Sequence, residues 1–417
     1  MKKLTVIGAK PLVGEVFVHG AKNAVLPLLA ATLLSCGETT LNNCPNISDV
    51  DAAIKILKHL GCKVYVDGSS ITVNSSEITR YDIPDNLMRE MRSSVIFLGA
   101  ILGRCKKAVL SMPGGCELGP RPIDIHIEAL KALGAEIKEE NGNIICSAPI
   151  LKGCRINLPF PSVGATENAV LAASMAEGKT VITNAACEPE IVDLQNFLEK
   201  LGAKISGAGS PTITVEGCTL NCSAEYTVIP DRIAAATFLS AAASTKGKIL
   251  VSNVCPKHID TVTDALSEMG CAIKAYKDKV FIDASGNLKA IKPIVTKPYP
   301  GFPTDAQPVL MAATLKAEGT TVFVENIFSN RFRHVAELLR MGADIKTEGR
   351  VAMVSGVKKL HGASVVSTDL RGGAALLVAA LGAEGKTDIF DIHHIERGYD
   401  SIEKSIRALG GEIYKAE

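Results

Sequence analysis

The sequence predicts an α/β fold of two inside-out α/β barrel domains, built from six repeats of a βαβαββ unit, three per domain. Three observations carry this expectation. A hydrophobic–Gly–small–x–apolar signature recurs six times at nearly one period. Each copy follows a run with apolar residues at helical spacing. Upstream of these runs lie Ala-rich segments that are apolar nearly all round, and such helices are buried.

The six copies begin at Leu60-Gly61, Leu133-Gly134, Leu201-Gly202, Met269-Gly270, Met341-Gly342 and Leu409-Gly410. Their glycines stand 73, 68, 68, 72 and 68 residues apart. Before the first, Val50 to Leu60 places apolar residues on one helical face. The glycine is then the left-handed residue that ends the helix, and the chain turns directly into a strand. Asp67-Gly68 and Asn141-Gly142 follow as hairpin turns that need positive φ, with Lys277-Asp278 and Glu348-Gly349 at the same place in later copies. The Ala-rich segments include Ala165 to Ala176, Ile233 to Ser244 and Leu370 to Ala383. Each ends at a glycine that opens a strand, as in Gly178-Lys179-Thr180-Val181. The βαβ part requires right-handed crossovers and parallel pairing, and the hairpin adds antiparallel strands. Helices this small in cross-section suit a core of helices wrapped by sheets. Six units overfill one core, so they divide three and three.

Bulk properties exclude several classes. The chain has 417 residues, with 45 basic against 44 acidic. That balance argues against nonspecific nucleic-acid binding. Charged residues make up 21% and apolar ones 47%, as in an ordered globular protein. Lys10 interrupts the N-terminus before any signal-like apolar run, and Ala24 to Leu34 is too short to span a bilayer. The expectation is a cytoplasmic protein with no membrane insertion. Twelve cysteines are scattered without a Cys-x-x-Cys pair. Cys62, Cys146 and Cys271 read as small buried hydrophobes. Cys116 differs, because it lies in the Gly/Pro-rich stretch Ser111 to Ile125, which can be neither a helix interior nor a central strand.

Charged residues fall at the starts of the buried helices: Lys22-Asn23, Arg92, Asp231-Arg232, Asp305, and Asp369 with Arg371. Charge there is costly unless paired or used on a ligand, and helix N-termini favour anions. Asp231 fits a plain N-cap as well as a site role. The loops before the amphipathic helices carry Arg121, Arg331 and Arg397 in only three of the six copies. Lys22, Arg92, Arg121, Arg331, Arg371 and Arg397 outnumber Asp305 and Asp369, which implies a cleft for a multiply anionic substrate. Asp305 is the candidate base, ionised in a positive field. Cys116, near Arg121, is a candidate acid or nucleophile.

Several motifs then resemble the UDP-N-acetylglucosamine 1-carboxyvinyltransferases, of the enolpyruvyl transferase family. They are Gly20-Ala21-Lys22-Asn23, Pro113-Gly114-Gly115-Cys116 with Arg121-Pro122-Ile123-Asp124, Ser162-Val163-Gly164, Phe302-Pro303-Thr304-Asp305, Asn330-Arg331-Phe332, Thr368-Asp369-Leu370-Arg371 and Arg397-Gly398-Tyr399. The resemblance implies one three-repeat domain over residues 22–227 and a second over 1–21 with 228–417, with the active site in the cleft between them. It implies transfer of the enolpyruvyl group of phosphoenolpyruvate to the 3′-hydroxyl of UDP-N-acetylglucosamine, the first committed step of peptidoglycan synthesis. It implies no metal and no organic cofactor.

By match to the family, Lys22, Arg121 and Arg397 hold phosphoenolpyruvate, and Arg92, Arg331 and Arg371 support the cleft with Asp369. Asn23, Pro122, Ile123, Asp124, Ile125, Ser162, Val163, Gly164, Asp305 and Ile327 line the nucleotide-sugar site. Asp305 takes or orients the proton of the attacking hydroxyl. Cys116 donates a proton to the methylene carbon in the addition step or acts in product release, and is the residue that fosfomycin alkylates. Two rivals stand beside this reading: the related transferase acting on shikimate 3-phosphate, and a non-catalytic sensor of nucleotide sugars.

Overall fold

A computed structural model describes residues 2–416, apart from Arg92, the segment 113–122 and Asn221. Contacts divide the described chain into two compact units. Of the described residues, 20–112 and 123–229 form one, the continuous unit, and 2–19 with 230–416 form the other, the split unit. Each unit has its own hydrophobic core.

The strands form six four-stranded sheets, all with one internal order. In the third repeat, Lys179–Thr183 is the central strand. It pairs in parallel with Arg155–Asn157 (Ile156 opposite Ile182) and antiparallel with Thr212–Glu216 (Val181 opposite Thr214). Lys204–Ser206 completes the hairpin at the edge. The same order of one parallel and two antiparallel pairings holds in the other five, with a hairpin at the edge of all but the sheet of the last repeat, so the predicted βαβαββ repeat is present. Alternate residues of the central strands point inward, as with Thr39 and Leu41, Ala108 and Leu110, or Ile249 and Val251, while the residues between them stay partly open.

The Ala-rich helices lie inside. Gln307–Thr314 is buried at every position, and Leu370–Gly382 at every position except Leu370. With Arg232–Thr245 they pack on one another in the split unit. In the continuous unit Phe97–Cys105 packs on Val163–Ala173 and on Lys22–Ala31. Alanine and glycine side chains allow this close approach of backbones. Larger residues on every face would force the surrounding sheets apart.

The signature glycines do what the sequence requires of them. Gly61, Gly134, Gly202, Gly270, Gly342 and Gly410 all have positive φ, between 82° and 109°. Each lies just past an amphipathic helix, and Asn141 and Gly142 are both left-handed, as a tight hairpin turn demands. Lys277-Asp278 differs: neither residue has positive φ, and Tyr276 N–H closes the turn on Lys279 O at 2.8 Å.

Chain ends complete the sheets in a way that local pattern does not reveal. Ala224–Thr227 is the parallel neighbour of Glu38–Asn42, and Val13–Phe17 that of Lys248–Ser252. Lys3–Ile7 inserts between Lys386–Phe390 and Glu412–Ala416. Each unit therefore closes its ring of repeats with a strand remote in sequence.

The glycine signature gives a direct test. A Cβ on Gly410 would meet no atom within 4 Å, while φ is +82°. Gly410→Ala therefore isolates backbone strain from packing, and should lower unfolding free energy by about 1 kcal/mol in urea titration. An unchanged midpoint would remove the helix-stop role.

Candidate active site

In the split unit, three aspartates stand at the starts of the three inner helices, and they are not used alike. Asp231 caps its helix, accepting from Ile233 N at 2.8 Å and Ala234 N at 2.9 Å. Asp369 does the same for Arg371 N at 3.0 Å and Gly372 N at 3.1 Å. Asp305 caps nothing. Its Oδ1 accepts from Arg331 Nη2 at 2.7 Å and its Oδ2 from Arg371 Nη2 at 3.0 Å.

The two guanidinium groups are almost wholly enclosed, with side chains 1% and 3% exposed, whereas Asp305 retains 26%. Arg331 is fixed further by Thr304 O, which accepts from Nε at 3.1 Å and Nη2 at 2.7 Å. Arg371 donates Nη1 to the Tyr399 hydroxyl at 3.4 Å, and that hydroxyl shares a hydrogen bond with Thr237 Oγ1 at 2.9 Å. Partial burial would raise the Asp305 carboxyl, but Arg371 and Arg331 outweigh it and hold the group far below the usual carboxylate range. It is an anion at any physiological pH, with a lone pair left on each oxygen. His334 lies beneath, its Nδ1 3.2 Å from Arg331 O, and burial pulls it down to about 4, so it is neutral.

Of the cations that the sequence groups together, Arg331 and Arg371 meet here, while Lys22 belongs to the continuous unit. Asp369 caps the helix that carries Arg371, and Asp231 adds an electrostatic pull on the Arg371 guanidinium. Ile327 is half-buried on the loop leading to Arg331, and Arg397 ends a short helix two residues before Tyr399.

In the continuous unit, Lys22 opens its inner helix without any side-chain cap, and its Nζ is 2.6 Å from Asp49 Oδ2, both groups being buried. Asn23 follows it, half-buried. Ser162 caps the helix that begins at Val163, accepting from Ala165 N at 3.4 Å. Ile123 and Ile125 are half-buried and Asp124, exposed, begins the helix Asp124–Ala132. The structure joins these two helix starts through His126, which sequence reasoning missed. A Cβ on Gly164 would stand 3.0 Å from the His126 ring, so any larger residue would have to displace the imidazole by a few tenths of an ångström. Asn168 Nδ2 lies 2.8 Å from His126 Nδ1, which makes Nδ1 the acceptor and leaves the proton on Nε2. Burial holds this imidazole down to about 4, so it too is neutral. A single histidine after a loop carries no periodic signal, so only the fold could reveal it. Cys116, Arg121, Pro122 and Arg92 lie outside the described residues.

Comparison with known proteins agrees with this architecture. The family model for EPSP synthase (3-phosphoshikimate 1-carboxyvinyltransferase) matches residues 6–406. A UDP-N-acetylglucosamine 1-carboxyvinyltransferase 2 of Caldanaerobacter subterraneus is 51% identical over 415 residues, covering 100% of both chains. A UDP-N-acetylglucosamine 1-carboxyvinyltransferase of Coxiella burnetii is 46% identical, over 99% of this chain and 96% of the other. The crystal structure of the enolpyruvyl transferase NikO from Streptomyces tendae superposes with a TM-score of 0.91 at 25% identity, over 100% of this chain and 99% of the other. An EPSP synthase from Acinetobacter baumannii, 20% identical and covering 100% of both chains, shares the fold with a TM-score of 0.76. The chain belongs to the enolpyruvyl (1-carboxyvinyl) transferase family.

A second acidic group in the continuous unit makes stability pH-dependent. Burial pushes Asp193 up to about 7, opposed by hydrogen bonds from the Tyr226 hydroxyl at 2.5 Å and from Ile229 N, and assisted by Glu190. The folded state thus keeps this proton from about pH 4, where an unfolded aspartate loses it, up to about pH 7. Stability from this group falls as pH rises through that window. Between pH 4 and pH 7 this group should lower the melting temperature as pH rises, and Asp193→Asn should remove that contribution from the slope; an identical slope in the variant would contradict the assignment.

Proposed function

We propose that the protein transfers the enolpyruvyl group of phosphoenolpyruvate to the 3′-hydroxyl of UDP-N-acetylglucosamine and releases phosphate. This is the first committed step of peptidoglycan synthesis, acting in the cytoplasm. The acceptor follows from relatives named for it, which share up to 51% of their residues over the whole chain. The observation that carries the chemistry is Asp305, the one inner-helix aspartate turned off its own helix, held ionised and still partly open.

The reaction is an addition followed by an elimination. Lys22, Arg121 and Arg397 hold the phosphate and carboxylate of phosphoenolpyruvate, with Arg92 in support. Asp305 accepts the hydrogen bond of the attacking hydroxyl and aims its oxygen at C2. Its depressed pKa suits orientation of that hydroxyl better than early removal of the proton, which passes to the Asp305 carboxylate as the new C–O bond forms. Cys116 delivers a proton to the methylene carbon, giving a tetrahedral ketal that still carries the phosphate. The Cys116 thiolate then takes a proton from the new methyl group as phosphate departs, and the double bond is restored. Cationic side chains stabilise the charge that develops in both halves. Asn23, Pro122, Ile123, Asp124, Ile125, Ser162, Val163, Gly164 and Ile327 line the nucleotide sugar. Arg331, Arg371 and Asp369 hold Asp305 in place.

Phosphate release from phosphoenolpyruvate tests the reading, with UDP-N-acetylglucosamine and shikimate 3-phosphate offered in turn. Release is expected with the nucleotide sugar alone. Release only with shikimate 3-phosphate, or with neither, would overturn it.

A further inference from the structure

The residue just after the central strand is a second place where the repeats part company. In the first, third and fourth repeats it is Asn43, Asn184 and Asn253, left-handed with φ of 60°, 55° and 55°. Each donates Nδ2 to the carbonyl just beyond the end of the parallel neighbour strand: Val228 O at 2.9 Å, Leu158 O at 2.8 Å and Val18 O at 2.6 Å. In the fifth repeat this duty moves one residue on, to Asn326, whose Nδ2 reaches Thr296 O at 3.4 Å. The vacated position is Glu325, which is 1% exposed.

A carboxylate this buried is costly unless its oxygens are taken up. They are. Oε1 accepts from Ile327 N at 2.8 Å and Phe328 N at 3.0 Å, and Oε2 accepts from Thr304 Oγ1 at 3.0 Å. Both routes lead to Arg331. Thr304 O holds its guanidinium, and the Phe328 ring lies 5.3 Å from its Cζ. Thr304 is also the residue before Asp305.

We propose that Glu325 is a positioning residue for the transfer reaction. By tying Thr304 to the Ile327–Phe328 backbone it sets Arg331, and through Arg331 the carboxylate of Asp305. The proposal rests on the role given to Asp305 above. A glutamate here does for the loop what an asparagine amide, with one acceptor and one donor end, cannot: it accepts from three donors at once.

Steady-state phosphate release by the full-length protein tests this with Glu325→Ala, Glu325→Gln and Thr304→Val. Glu325→Ala should lower kcat by about 10-fold or more, since small misplacement of a reacting group is expensive, while KM for phosphoenolpyruvate holds within about twofold. Glu325→Gln, which keeps an acceptor for both amides, should recover most of that loss. Thr304→Val should lower kcat by about threefold or more, and add nothing to Glu325→Ala, because both act on one path. Wild-type kcat in Glu325→Ala with only a lowered melting temperature would overturn the proposal, as would losses that multiply. Should Glu325→Ala fail to fold, wild-type kcat in Thr304→Val overturns it alone. Absence of phosphate release in the wild-type protein would instead fault the reading of function.

Discussion

Two buried guanidinium groups meet on one carboxylate, and the candidate site depends on that meeting. Enclosing Arg331 and Arg371 costs several kcal/mol for each unless charge and hydrogen bonds are supplied. Asp305 supplies the charge; Thr304 O and the Tyr399 hydroxyl supply further acceptors. The exchange is mutual. The arginines fix the carboxylate from both sides and keep it ionised, so that it faces outward with a defined orientation and a free edge. Removal of Asp305 would leave two buried guanidinium groups without the carboxylate that bridges them.

Six nearly equal units make the departures among them informative. Asp231 and Asp369 serve as caps, and Asp305, at the corresponding helix start, does not. Asn43, Asn184 and Asn253 tie off neighbouring strands, and Glu325 at that position ties the loop before Arg331 to Thr304. Both departures fall in the fifth repeat and are joined by Thr304. Repetition builds the scaffold cheaply, because one packing solution serves six times. In the fifth repeat, chemistry enters where duties kept by several sibling copies are given up.

Much of the scaffold was legible in the sequence because it is set by short-range rules. A left-handed glycine after an amphipathic run, and helices apolar all round, leave clear local marks, and all six glycines take the expected conformation. The identities of Asp305, Arg331 and Arg371 were legible too, from charge at helix starts and in loops. Their pairing was not. Asp305 lies 26 residues from Arg331 and 66 from Arg371, and no local pattern encodes such a contact. Glu325 reads as the polar end of a strand, and His126 as one more helical residue, until Thr304 and Gly164 are seen against them.

Asp305→Asn tests the account most directly, because it preserves shape while removing the charge and one acceptor. With phosphoenolpyruvate and UDP-N-acetylglucosamine as substrates, kcat should fall by about 10²–10⁴-fold. KM for the nucleotide sugar should stay close to that of the unaltered protein. Turnover within a few-fold of the unaltered protein would contradict the central role of the clamped carboxylate.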